Sequence, residues 1–204
     1  MGERVAIVFS EGYKGYKFSE VHPLNPVRVE LAVDLIESYG LLGEAGRSTE
    51  GGGRKAAAPV GKVASRVEPR PAKDEEIEMV HDARYVKAVK AASEGALPAR
   101  AAVEFGLGPG DNPIFPKMHE ASAWIAGGSL VAAELVANGE FDHAFNPAGG
   151  PHHALKDRAS GFCIYNDAAI ACAYLAGKGL RVADVDTDAH HGDGVQAAFY
   201  SDPR

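Results

Sequence analysis

The chain has 204 residues, of which 46% are hydrophobic and 24% are charged, and these values are typical of one globular domain with a sizeable core. Its net charge of -7 and its lack of a Lys/Arg-rich block argue against nucleic acid as a direct partner. No apolar run approaches the roughly 18 residues that a membrane span needs, so no membrane association is expected. The two cysteines fit no zinc-ribbon or redox spacing, and we predict a cytoplasmic protein with reduced thiols.

The first part of the chain contains one predicted strand and one predicted helix. Residues 4–9 form a short apolar run that is typical of a buried strand. After a loop, Asn25 and Pro26 are typical of the start of a helix, and Gly40 is typical of its end. Residues 43–66 are rich in Gly, Ala, Lys and Arg and show no periodicity, so we predict a flexible insertion there.

The rest of the chain alternates between helical and strand patterns. These patterns predict helices beginning at Asp74 and Asp82, a loop over residues 106–116, helices over residues 117–138 and 166–176, and strands over residues 141–145 and 180–185. Strands that alternate with helices indicate the α/β class, with a mainly parallel sheet, in a single domain over residues 1–204. In such sheets ligands bind at the carboxyl ends of the strands.

The densest polar cluster follows the last predicted strand. Residues 184–194 (DVDTDAHHGDG) contain four carboxylates and two imidazoles, which repel one another or are costly to desolvate unless a cation neutralises the carboxylates. Asp188 and His190 are two positions apart, so in extended backbone both can reach one ion, which we predict to be zinc or another divalent metal. An isolated pair of this kind could instead be a capping aspartate and a solvated histidine. The neighbouring carboxylates favour the metal.

A tandem histidine, His152 and His153, follows two glycines in the loop after the preceding predicted strand. Glycine allows close backbone approach, and two carboxylates of the second cluster, Asp186 and Asp193, are not both needed as metal ligands. Each carboxylate could instead hold one imidazole and fix its tautomer. A metal with two His–Asp pairs suits attack of water on an amide and protonation of the amine that leaves.

Four motifs together resemble the zinc-dependent histone deacetylase superfamily. They are residues 106–115 (GLGPGDNPIF), 146–154 (NPAGGPHHA), 160–167 (SGFCIYND) and 186–194 (DTDAHHGDG). The form of residues 111–120 (DNPIFPKMHE) is most similar to that of the bacterial and archaeal acetoin-utilisation deacetylases. The resemblance covers nearly the whole chain apart from residues 43–66. It implies a three-layer arginase/deacetylase-like α/β fold with helices flanking the sheet.

The resemblance also implies that the two polar clusters form one active site. Its implied members are the zinc ligands Asp188 and His190, the general base His153 with its partner His152, and the carboxylates Asp186 and Asp193, which pair with His152 and His153 respectively. Asp186 and the backbone around it would also bind a structural potassium ion. The implied residues around the substrate are Asp111 on the rim loop, Phe162 and Gly161 at the acyl-lysine tunnel, Arg28 along an internal acetate channel, and Cys163 behind the site.

The sequence departs from the family pattern in two ways. The third zinc ligand, an Asp, and the oxyanion-stabilising Tyr of the family would follow residue 204, so we expect the fold to be incomplete at the C-terminal end. Asp184 and Thr187 stand where the family usually has aromatic or aliphatic residues. A carboxylate buried at position 184 would raise its own pKa or strain the predicted strand.

Three functions remain open from the sequence. The first is zinc-dependent removal of acetyl groups from an acetylated protein, peptide or small amine, by metal-activated water with a histidine base. The second is a non-catalytic remnant or interaction fragment of such a deacetylase. The third is an arginase-like manganese hydrolase, for which the string from Asp188 to Asp193 is one residue too long.

Overall fold

The computed structural model describes residues 3–43, 63–108 and 110–203. These residues form a parallel sheet, a short 3-10 helix at Glu11–Gly15, and α-helices packed on the sheet and on one another. In chain order the strands and α-helices are β1 (Val5–Val8), α1 (Val27–Ser38), β2 (Ser65–Val67), α2 (Asp74–Ile77), α3 (Ala83–Ser93), α4 (Ala99–Glu104), α5 (Met118–Ala137), β3 (His143–Phe145), α6 (Asp167–Gly177) and α7 (Asp193–Phe199).

The sheet has the strand order β2-β1-β3, and both strand pairs are parallel. Ala6 of β1 lies opposite Ser65 of β2 and Ala144 of β3. The carboxyl ends of the strands therefore meet at one edge, and the loop that follows β3 carries the tandem histidine from that edge. This architecture confirms the predicted α/β class with a parallel sheet.

Both faces of β1 are buried. Ala6 and Val8 pack with Leu135 in one apolar cluster, whereas Ile7 and Phe9 belong to the larger cluster. Because side chains alternate across a strand, this division puts apolar cover on both faces of the sheet. Helix α5 contacts β1 and β3 as well as α3 and α6, so it connects the sheet to the helices around the site.

Most predicted elements lie where the sequence places them. The helices α1, α3, α5 and α6 match the predicted ones to within about two residues at each end, and β1 and β3 fall inside predicted strands. The prediction of a flexible insertion falls mainly on residues 44–62, which lie outside the described residues. Its last part, around Ser65, instead forms β2. In the ranges that the structure describes, no helix has the length and apolarity needed to cross a membrane.

The strand predicted over residues 180–185 is wrong. Residues 181–187 have no helix or strand assignment, and the part of the chain that the structure describes places no strand beside them. A strand needs a neighbour to accept and donate its backbone hydrogen bonds, which apolar patterning alone does not supply. Val185 is 81% exposed, and Asp184 is exposed too. Asp184 is therefore not buried, as it would have been in the predicted strand.

Candidate active site

Two histidine–carboxylate pairs form the centre of the site. Nδ1 of His152 lies 2.7 Å from Oδ2 of Asp186, and Nδ1 of His153 lies 2.7 Å from Oδ1 of Asp193. These are the two pairs that the sequence predicts, and they join residues 34 and 40 positions apart in the chain. A carboxylate that accepts from Nδ1–H fixes the tautomer and directs Nε2 of the ring away from itself.

The two imidazoles also contact each other. Nε2 of His152 lies 3.1 Å from Nε2 of His153, and the ring centroids are 4.1 Å apart. Because each Nδ1–H donates to a carboxylate, both Nε2 atoms are left as acceptors, close enough to share a proton that reaches either ring. Such a unit can accept a proton from water and return it to a leaving group.

Asp167, the first residue of α6, holds the glycine turn before the tandem histidine. Its Oδ2 accepts from the hydroxyl of Ser129 at 2.5 Å, and its Oδ1 accepts from the N–H of Gly150 at 3.1 Å. Burial raises the pKa of Asp167 to about 6, although the hydrogen bonds from Ser129 and Gly150 favour the charged form. Asp167 lies in one of the family-like motifs, but the sequence predicts no role for it.

His81 joins the residues after the tandem histidine to α6. Its Nδ1–H donates to the carbonyl oxygen of Leu155 at 2.8 Å, and its Nε2 accepts from the N–H of Asn166 at 2.9 Å. The residue is 1% exposed, and this burial lowers the pKa of His81 to about 4. His81 is thus a neutral imidazole at pH 7, and its tautomer is set by the two backbone groups that it connects.

The buried His81 predicts a loss of stability in mild acid. Because its pKa is near 4 when folded and near 6.5 when unfolded, the unfolded chain binds more protons between these values, and stability falls as the pH falls. Between pH 7 and pH 5 we expect His81 to remove about 2 kcal/mol from the free energy of unfolding. Urea unfolding of wild type and His81→Gln at both pH values measures this difference, and the variant should lose about 2 kcal/mol less than the wild type between pH 7 and pH 5.

Asp167 changes stability with pH in the opposite direction to His81. The effect of His81 must therefore be measured by comparing the wild type with variants, not from the wild type alone. Its folded pKa of about 6 lies above the unfolded value of 3.8, so its contribution to stability rises as the pH falls toward 4. His143→Gln, a substitution at an exposed histidine of β3, serves as the matched control. An equal pH dependence in His81→Gln and His143→Gln would contradict the assignment to His81.

Asp188 and His190 point toward each other beside the tandem histidine. Oδ1 of Asp188 lies 2.9 Å from Nδ1 of His190, and the His153 and His190 rings have centroids 6.0 Å apart. Both side chains are open to solvent, with 53% and 78% of their surfaces exposed. The pKa of Asp188 is lowered, chiefly by the backbone N–H of His190. The pKa of Asp186 is lowered by the backbone N–H of Asp188 and then by His152.

A carboxylate oxygen and an imidazole nitrogen on the same side of a short segment fit two positions around a divalent ion. In residues 3–43, 63–108 and 110–203, no group of three or more His, Cys, Asp or Glu side chains is arranged to hold a metal. The role of Asp188 and His190 as metal ligands stays a prediction, and a complete four-coordinate site needs more donors than this pair.

Gly161 and Phe162 form a tight turn against the imidazole of His153. Their φ angles are 51° and 67°, both in the left-handed region. A Cβ added to Gly161 would overlap the His153 ring, so only glycine fits there. Phe162 has a Cβ and its backbone is strained. Tyr16 holds it, because the Tyr16 hydroxyl donates to the Phe162 carbonyl at 2.7 Å and accepts from the Ile164 N–H at 3.1 Å.

The other sequence-predicted residues lie at varying distances from this centre. Cys163 is buried behind the turn, and burial raises the pKa of its thiol to about 12. The Phe162 ring packs edge-on with His22, with centroids 4.5 Å apart. Asp111 lies exposed on the loop before α5, and Arg28 lies exposed in the first turn of α1. The roles of Phe162, Asp111 and Arg28 stay predictions.

Sequence reasoning missed the residues that hold the tandem histidine in place. Asn166, Asp167 and His81 are all buried, and each makes a hydrogen bond to the backbone of residues 150–155. One signal could have found two of them. Consecutive Asn and Asp at a predicted helix start, directly after an apolar run, are typical of helix-capping side chains, and a cap that is buried must find its other partners within the protein.

Comparison with known proteins identifies the family of this site. A family model described as the histone deacetylase domain matches residues 22–204, a range that includes every residue of the two His–Asp pairs. The chain belongs to the histone deacetylase family. Among curated members, it is 43% identical over 197 residues to the acetoin utilization protein AcuC of Bacillus subtilis (strain 168) and 40% identical over 200 residues to AcuC of Staphylococcus aureus (strain MRSA252).

Solved structures agree with this family assignment. The crystal structure of a histone deacetylase homologue from Aquifex aeolicus superimposes with a TM-score of 0.79 at 33% identity and covers 97% of this chain. A structure of a histone deacetylase homologue complexed with SAHA matches equally well. The alignments cover 96% of this chain but 46% of the Bacillus AcuC, and 98% but 46% of the Staphylococcus AcuC. The chain therefore spans about half the length of these relatives.

Proposed function

We propose that this chain carries the general-base side of the active site of a metal-dependent deacetylase, which removes acetyl groups from N-acetyl-lysine or a related acetylated amine. One observation carries the proposal: two imidazoles in contact, each bound to its own carboxylate at 2.7 Å, lie beside an Asp–His pair. Family membership supports hydrolysis of an acetylated substrate and favours it over the arginase-like alternative. The substrate itself stays open among protein, peptide and small amine.

The chain's own residues would perform the proton transfers. His153 would accept a proton from the attacking water on its Nε2 side, while the carboxylate of Asp193 stabilises the charged ring through Nδ1. His152, bound to Asp186, would share that proton across the contact of 3.1 Å between the Nε2 atoms. The same proton would then pass to the departing amine, which leaves as a neutral group.

Asp188 and His190 would hold the metal, which we propose to be zinc. When bound, such an ion polarises the amide carbonyl and lowers the pKa of a coordinated water. The pair supplies one oxygen and one nitrogen donor, a set that suits zinc and excludes no other first-row divalent metal. A structural potassium ion at Asp186, a substrate-holding role for Asp111, a tunnel formed by Phe162 and Gly161, and an acetate channel along Arg28 are further proposals that rest on family resemblance.

A metal titration with a matched control tests the proposal. Protein stripped with a chelator is titrated with zinc by calorimetry and then assayed on an acetyl-lysine peptide. We expect stoichiometric binding and turnover in the wild type, and at least about tenfold weaker zinc binding in Asp188→Ala. Asp184→Ala makes the same change four residues away at an exposed carboxylate, and it should bind zinc as the wild type does.

A second candidate is a non-catalytic member of the family. Within the residues that the structure describes, no three His, Cys, Asp or Glu side chains are arranged to hold a metal, as expected of such a member. The same titration separates the two candidates. Stoichiometric zinc with peptide turnover excludes the non-catalytic candidate, and a chain that binds no zinc and releases no acetate favours it. The predicted cytoplasmic location stays a prediction.

A further inference from the structure

We infer that Asn166 is the positioning residue of the tandem histidine: its side-chain amide holds the carbonyl groups of the residues before and after His153. The two N–H bonds of Nδ2 donate to the carbonyl oxygens of His152, at 3.0 Å, and Ala154, at 3.1 Å. These carbonyls bracket His153 in the chain. The statement that Asn166 holds these carbonyls rests on geometry alone, whereas its importance for catalysis rests on the proposed function.

Every polar atom of Asn166 is engaged. The side-chain oxygen accepts from the N–H of Ala169 at 2.9 Å and caps α6, while the backbone N–H donates to Nε2 of His81. The residue is 0% exposed, so no water competes for these bonds. With its backbone held by His81 and its side-chain oxygen by the helix, the amide has one orientation, which aims Nδ2 at the two carbonyls.

A primary amide is the chemical group that this position needs. It offers two N–H donors that can serve two acceptors, and it keeps an oxygen for the helix cap. Serine and aspartate cap helices about as well as asparagine does, but neither can donate to both carbonyls. This difference separates two roles for Asn166. A residue that only caps α6 can be replaced by serine, whereas one that positions His153 cannot.

Holding both carbonyl groups restricts the backbone that carries the His153 ring. The Cα–Cβ bond of His153 leaves the backbone between the two held carbonyls, and the ring must reach Asp193 through Nδ1 and His152 through Nε2 at once. A backbone free to rotate by a few degrees would move the ring tip by a sizeable fraction of an ångström. Catalytic groups tolerate errors of only about half an ångström.

Histidine proton exchange tests this inference without metal or turnover. In protein labelled with ¹⁵N-histidine, the Nδ1–H signals of His152 and His153 are assigned from the spectrum of His153→Gln, and their exchange with solvent is measured. In Asn166→Ser, which keeps the cap, we expect the Nδ1–H of His153 to exchange at least about tenfold faster than in the wild type, because two buried hydrogen bonds are lost.

Asn112→Ser is the matched control. Asn112 is also buried, and its Nδ2 donates to one carbonyl, that of Gly106, at 3.2 Å. This variant should lose stability and leave the His153 exchange rate unchanged. Equal His153 exchange rates in the two serine variants would overturn the inference. If Asn166→Ser does not unfold cooperatively, Asn166→Thr decides, since threonine also keeps the cap and cannot donate to both carbonyls. Failure of the zinc titration leaves this result intact, so the two proposals stand or fall separately.

Discussion

Replacing His153 by glutamine is expected to lower kcat/KM for an acetyl-lysine peptide by about 10²- to 10⁴-fold, the range that a positioned general base contributes. Glutamine keeps a similar volume and can still bond to Asp193, but it cannot take a proton from water at neutral pH. In the structure His153 contacts Asp193 through one ring nitrogen and His152 through the other. Because its proposed role is proton transfer and not substrate binding, the loss should fall on kcat. Steady-state kinetics on metal-loaded protein measures it.

His143→Gln makes the same chemical change on the exposed face of β3 and should leave the kinetics unchanged. Zinc titration of His153→Gln should match the wild type, because His153 is proposed as a base and not as a ligand. A His153→Gln protein with wild-type kcat would exclude His153 as the base. A variant that has lost zinc binding would instead move His153 into the ligand set.

Substituting Gly194 by alanine is expected to separate α7 from the tandem histidine. An added Cβ would lie 2.5 Å from the carbonyl oxygens of both His152 and Ala154 and 2.8 Å from Nδ2 of Asn166. Two of these neighbours are backbone atoms that cannot rotate away, so α7 must shift. Overpacking of this kind typically costs about 1–3 kcal/mol of stability. Because Asp193 is the residue before Gly194, its hydrogen bond to His153 should weaken as well.

Denaturant unfolding and kinetics together measure the effect of Gly194→Ala. Gly177→Ala is its control, since an added Cβ at Gly177, the last residue of α6, meets nothing within 4 Å. That variant should change the free energy of unfolding by no more than about 1 kcal/mol, in the stabilising direction, because alanine restricts the unfolded chain. Equal losses of stability in the two variants would show that α7 does not pack against the tandem histidine as described.

The sequence predicted the parts of the molecule that depend on local patterns. Apolar residues and helix-start signals located α1, α3, α5 and α6, because both are local features of the sequence. The pairing of His152 and His153 with Asp186 and Asp193 followed from charge, together with family resemblance. Imidazoles and carboxylates close to one strand edge need partners, and each finds one in the other cluster.

The rest depended on partners distant in the chain. The bond from His81 to Asn166 joins residues 85 positions apart, and no local pattern of apolar or polar residues encodes it. The strand predicted over residues 180–185 failed for a related reason. Its apolar residues are typical of a strand, but a strand forms only where a second backbone lies alongside to pair with it. The pattern of one segment does not show whether such a partner is present.

Residues 181–187, which have no strand partner among the described residues, carry a consequence for affinity. Asp186 belongs to this segment, and Asp188 and His190 follow it, so three residues of the site lie on an exposed stretch of chain. An ion that binds Asp188 and His190 must also restrict the torsion angles of this backbone. The lost conformational entropy, about 1–2 kcal/mol per residue that becomes fixed, is subtracted from the binding free energy. Anything that immobilises the segment beforehand should therefore raise the affinity of the site without touching a ligand.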